Sequence, residues 1–188
     1  IKENWTLITS GDTLLPVPPA APDPDNTRLT PGGWINVSNA TQYKSYRIIF
    51  PTLRDTATAN SMQVAEVELF SGSNGSGADI LSAGGATLAI DTDIAPTSSY
   101  PATESPAGAV DRTLNKYLNF GNVNSGLIIT PAAGPSIVTS LRLTTANDTD
   151  ARDPMSFQLY GTNDPITSAD NSIGTAENWA LIASGPTQ

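Results

Sequence analysis

Neither cysteine nor histidine occurs among the 188 residues of this chain. The first absence excludes disulfides, so the fold must rest on burial, hydrogen bonding or bound metal. Together the two absences remove the thiol nucleophile, the commonest general base and the usual zinc and iron ligands. Charge is scarce too: 14% of residues are charged, and 18 acidic side chains face 9 basic ones, for a net charge of −9. Such a surface is a poor partner for nucleic acid or an anionic membrane but is compatible with divalent cations and neutral glycans. No run of about 18 apolar residues occurs, so no helix is expected to span or insert into a bilayer.

What the chain does have is 15 glycines, 15 prolines and many Thr, Ser, Ala and Asn residues. That composition suits short strands joined by frequent turns. Trp5–Ile8 alternates, and prolines 16, 18, 19, 22, 24 and 31 make residues 14–33 a loop, because proline cannot donate to a ladder. Trp34–Ser38 alternates again. Tyr46–Phe50 is a run apolar but for Arg47 and stopped by Pro51, as in a buried strand. Residues 54–60 form a polar excursion, and Met62–Phe70 alternates. Residues 71–77 (SGSNGSG) have the composition of a flexible linker. Short strands are expected at 80–81, 88–90, 127–130, 138–143, 156–160 and 179–182, with a compact, anchored loop over 110–120. About nine short strands and no long amphipathic helix indicate an all-β sandwich or jelly roll.

One stretch organises the rest. Glu177-Asn178-Trp179-Ala180-Leu181-Ile182-Ala183-Ser184-Gly185 repeats Glu3-Asn4-Trp5-Thr6-Leu7-Ile8-Thr9-Ser10-Gly11 at seven of nine positions, 174 residues apart. A period of that length is a whole domain rather than a solenoid turn. The chain then reads as one bead's worth of a tandem array, cut out of phase with the bead.

Three segments bring a family into view. Ser156–Asp164 followed by Trp179-Ala180-Leu181-Ile182 resembles the signature of a strand and then a W-x-x-I strand in discoidin-like domains, also called coagulation-factor type C or galactose-binding-like domains. Tyr46–Phe50 with Met62–Phe70 is similar to that family's final strand pair, and Ala109-Val110-Asp111 with Lys116–Phe120 to its early metal loop. Arg112 stands where glycine is usual, and Tyr117 where tryptophan often sits. The resemblance implies a jelly-roll β-sandwich in permuted or out-of-phase order. Residues 1–70 would be the C-terminal portion of one repeat, 71–77 a linker, and 78–188 the N-terminal portion of the next. Alternatively, the linker closes one domain as a circular permutant. Head-to-tail completion between chains would instead give fibres.

The resemblance also implies a Ca²⁺ site, with Asp111 and Glu66 as side-chain ligands, Thr113 and Asn115 supplying loop oxygens and Ala65 a backbone carbonyl. Hard oxygen donors in a tight loop, joined by a distant carboxylate, suit this ion. Asp148–Asp153 is a second acidic stretch, able to chelate, to pair internally through Arg152 or to stay solvated. For a glycan the loops offer Tyr100, Asn119, Asn124, Arg152 and Asp153, whereas Trp5, Trp34 and Trp179 lie on strands and are expected in the core. No pair of carboxylates is placed for glycoside hydrolysis, so the chain is expected not to be an enzyme. The expected role is a structural or adhesive repeat of an extracellular or cell-surface protein, with neighbouring copies of itself as partners. The alternative is a carbohydrate-binding module.

Overall fold

The computed structural model of the chain describes residues 28–186; the Trp5 strand and the copy at residues 3–11 lie outside them. Ten strands follow in chain order: β1 Ile35–Asn36, β2 Ser45–Phe50, β3 Met62–Val64, β4 Glu66–Phe70, β5 Gly85–Asp91, β6 Tyr117–Asn119, β7 Ser125–Pro131, β8 Ser140–Thr144, β9 Ser156–Thr162 and β10 Ala180–Pro186. Only short 3-10 turns interrupt them, at Ser73–Gly75, Pro106–Val110 and Asp150–Arg152. The strands form a five-stranded sheet in the order β10-β9-β2-β7-β5, a three-stranded sheet β1-β8-β4 and a two-stranded ladder β3-β6, every pair antiparallel.

A single apolar core joins the sheets. Tyr46, Ile48, Phe50, Leu127, Phe157 and Leu159 of the larger sheet pack in one cluster with Val67, Leu69, Leu141 and Leu143 of the smaller. This is an all-β sandwich. β2 lies at the centre of its sheet and is buried along its whole length. Its even-numbered residues enter the main core. Ile49 joins a second, smaller cluster on the opposite face with Ile90, Ile128 and Trp179. The run, apolar but for Arg47, reflects this burial on both faces, and Arg47 is itself buried against the Tyr160 and Trp179 rings.

The run 62–70 is divided at Ala65. Met62 and Val64 point into the main core, and so do Val67 and Leu69, so the inward parity changes from even to odd. One stretch thereby supplies β3 to β6 and β4 to β8, and it turns Glu66 and Glu68 away from the core. Residues 71–77 form a compact turn in which Asn74 and Asn36 exchange hydrogen bonds of 2.8 Å. Gly75, at φ +73°, lies so close under the Trp34 ring that a Cβ would overlap it. On either side of this turn, β4 pairs with β8 and β2 with β7 and β9. Ile80 and Leu81 are buried in a turn rather than a strand, and residues 117–119 pair as β6 within what reads as loop.

Candidate functional site

Glu66 opens β4, the edge of the three-stranded sheet, while Asp111, Thr113 and Asn115 lie in the loop after the 3-10 turn Pro106–Val110. This loop passes over the outward face of β4. Glu66, Glu68, Arg112, Thr113 and Leu114 share the lining of a small pocket of about 250 Å³. Arg112 has φ +61°, a conformation that costs least without a Cβ, which explains why glycine suits that position.

Asp111 organises its own loop. Its Oδ1 accepts from the Thr113 amide at 2.8 Å and the Thr113 hydroxyl at 2.6 Å, and Oδ2 accepts from Asn115 Nδ2 at 2.9 Å. The three are therefore one hydrogen-bonded unit, open to solvent. Glu66 is the opposite case: 6% exposed, with no hydrogen-bond partner among the described residues for either carboxylate oxygen. Burial pushes its pKa up to about 7. The Arg112 charge opposes the rise, Asp111 and Glu68 add to it, and the nearby Arg112 amide favours the ionised form without making a well-formed hydrogen bond. Ala65 beside it is fully buried, and its amide donates to Thr144 O at 2.9 Å.

A buried carboxylate without donors, coupled to a second carboxylate, fits a hard cation chemically. Among the described residues no group of three or more acidic side chains is placed to hold a metal. Neutral oxygens from Thr113, Asn115 and Ala65 would have to complete such a shell. Part of the compensation is already at hand in Arg112, whose guanidinium pairs with Asp79 and stands 3.9 Å from Glu68.

Of the five candidate glycan residues, Asn119 ends strand β6 and the other four lie in turns or loops, and their polar atoms are mostly engaged internally. Tyr100 donates its hydroxyl to Asp170 at 2.7 Å, and its ring meets Tyr117 edge-on. Asn119 is fully buried; its amide donates to Ile90 O, Ser98 Oγ and the Tyr117 hydroxyl, and its Oδ1 accepts from the Gly121 amide. Asn124 donates to Asp93 at 2.9 Å. Arg152 donates to Asn60 at 3.0 Å and lies 3.8 Å from Asp148. Asp153 is entirely buried, gripped by Arg28 and approached by Arg54 at 3.5 Å; burial raises its pKa and the two arginines oppose the rise. Asp148 pairs with the buried Lys116 at 2.9 Å. The acidic stretch is thus tied into the molecule at both ends.

Neither described tryptophan offers an open ring face. Trp34 meets Phe70 edge-on at 5.2 Å and is covered by Arg142, whose guanidinium lies 4.3 Å from the ring centre. Trp179 is 3% exposed, with Arg47 stacked between it and Tyr160. A feature that no sequence motif marks is an open groove of about 650 Å³, whose lining includes Asn39, Gln42, Asp79, Ile80, Pro135 and Ile137. Among the described residues, no helix is long and apolar enough to cross a membrane. No family model matches the chain, and no curated protein or solved structure matches it either.

Proposed function

We propose that this chain is a non-catalytic structural or adhesive bead of an extracellular tandem-repeat protein, with neighbouring copies of itself as partners. The observation that carries the reading is the duplicated edge strand. Among the described residues β10 terminates the five-stranded sheet, and the segment 177–185 that holds most of it recurs at seven of nine positions 174 residues earlier. A domain whose closing strand has a second copy is suited to linkage in series.

The finer assignment proposed is a discoidin-like, galactose-binding-like jelly roll in permuted order, clamped by Ca²⁺. Glu66 and Asp111 would hold the ion with Thr113, Asn115 and the Ala65 carbonyl, and the ion would supply the charge that the Glu66 carboxylate lacks. The support is the unpartnered, buried state of Glu66 beside a preformed Asp111 loop. Such a clamp ties the 111–115 loop to a sheet edge in a chain without disulfides. Light scattering over a concentration series, with calcium and with EDTA, tests the reading. Reversible growth with concentration is the expected result; a monomer at every concentration in both buffers would overturn it.

Carbohydrate binding is the second reading. The groove beside Asn39 and Gln42 favours it, combining apolar walls with amide and carboxylate side chains at a size suited to a small glycan. The engagement of Asn119 and Asp153 within the fold weighs against the loop residues as its contacts. A glycan array, repeated with Gln42→Ala, distinguishes this reading from assembly.

A further inference from the structure

Among the described residues β10 pairs only with β9, so it can leave the sheet without parting any other described pair of strands. Most side chains that hold it in place recur in the copy at residues 3–11. Glu177 is buried and accepts from the Thr167 and Ser168 amides and from the Ser168 hydroxyl; Glu3 is its counterpart. Asn178 donates to Asp164 through its amide and side chain and accepts from Thr162; Asn4 matches it. Trp179 fills the second apolar cluster and Ile182 the main core; Trp5 and Ile8 match them. Of the two differences, Thr6 replaces Ala180, which is exposed. Thr9 replaces Ala183, which is fully buried, so the copy would carry a hydroxyl into the core.

Reach is also satisfied. The C-terminal end of β10 pairs Pro186 with Ser156, and Arg28 bonds to Asp153 three positions before it. Residues 12–27 extend up to about 50 Å, several times the gap of roughly 10 Å along three backbone positions.

We propose that the edge beside β9 is a shared socket, which residues 3–11 enter in place of residues 177–185 of the same chain and in the same register. Whichever segment is outside, one chain always carries two plugs for one socket. The Thr9 hydroxyl makes the N-terminal plug the weaker competitor. The inference concerns one chain and does not depend on whether beads assemble.

Engineered cysteines test it in the full chain, which has no thiol of its own. Ser184→Cys with Gln158→Cys reports the observed pairing, since these positions are partners. Ser10→Cys with Gln158→Cys reports the alternative, and Ser10→Cys with Asn163→Cys, just beyond the far end of β9, controls for random collision. With a short bifunctional thiol reagent, the Ser10 and Gln158 pair closes within monomers in a minor fraction, well above the Asn163 control. That yield rises several-fold with Thr9→Ala and falls with Trp5→Ala. Closure no better than the control in the Thr9→Ala background overturns the proposal. So does closure found only between chains and dependent on concentration.

Discussion

Arg28 grips Asp153 through two parallel hydrogen bonds of 2.7 and 2.9 Å, across 125 positions of sequence, and Asp153 is completely buried. Among the described residues, Arg28→Met leaves that carboxylate with Arg54 at 3.5 Å as its remaining cationic partner. The expected loss of stability in urea titrations is about 3 kcal/mol, because stripping one partner strands a buried charge. The loss should be smaller at pH 5 than at pH 8, since acid neutralises the stranded group. Asp153→Asn in the same variant should restore part of it.

Glu66 gives the fold a pH dependence of definite sign. Its carboxyl titrates at 4.5 in its ordinary state and at about 7 when folded. Between those values the folded state binds the proton more tightly, so stability falls as pH rises through the window and levels off above 7. The full effect is about 3 kcal/mol. In EDTA, melting points should drop from pH 5 to pH 8, and Glu66→Gln should flatten that slope. Calcium competes with this proton, so its stabilising effect should be larger at pH 8 than at pH 5.

Arg112 occupies a left-handed conformation and sets a cation beside the proposed metal ligands. Arg112→Gly removes the competing charge and relaxes the backbone, at the loss of the Asp79 ion pair. Calorimetric titration should show tighter calcium binding in this variant than in the parent chain. Unchanged or weaker binding would separate the arginine from the site.

Truncation of Trp179 would ordinarily cost about 3–5 kcal/mol for a buried ring. With a second plug available, Trp179→Ala alone should cost less, because residues 3–11 can enter the socket. Adding Trp5→Ala should then reveal the remainder. A double variant no less stable than Trp179→Ala would show that the copy contributes nothing.

Local pattern made some of the fold legible and hid the rest. Strand β2 could be read because burial on both faces leaves a run apolar at every position from 46 to 50 but Arg47, and β9 because Phe157 and Leu159 alternate with half-buried polar residues. The split at Ala65 could not: the alternation of Met62–Phe70 looks continuous, and only pairing with two different partners changes its inward parity. Ile80 and Leu81 resemble a strand because they are apolar, yet they are core side chains of a turn. At the candidate site, the Asp111, Thr113 and Asn115 cluster spans five residues, so its local geometry was within reach of the sequence. The Arg28 and Arg54 partners of Asp153, and Lys116 beneath Asp148, come from distant positions without a motif. Asn119 looked like a loop donor because no local signal shows that four of its hydrogen bonds are internal.

Arg28 lies beside Asp153, and Pro186 beside Ser156, so the first and last described residues sit near one point of the sandwich. Tension applied through these two points does not run along the length of the sandwich. It peels β10 from β9 starting at the Ser156 end, breaking ladder bonds in sequence rather than loading them together in shear. In a series of such units, each sandwich would hang to one side of the tensioned chain, as a pendant hangs from a cord. Each would add little to the cord's resting length and yield at low force.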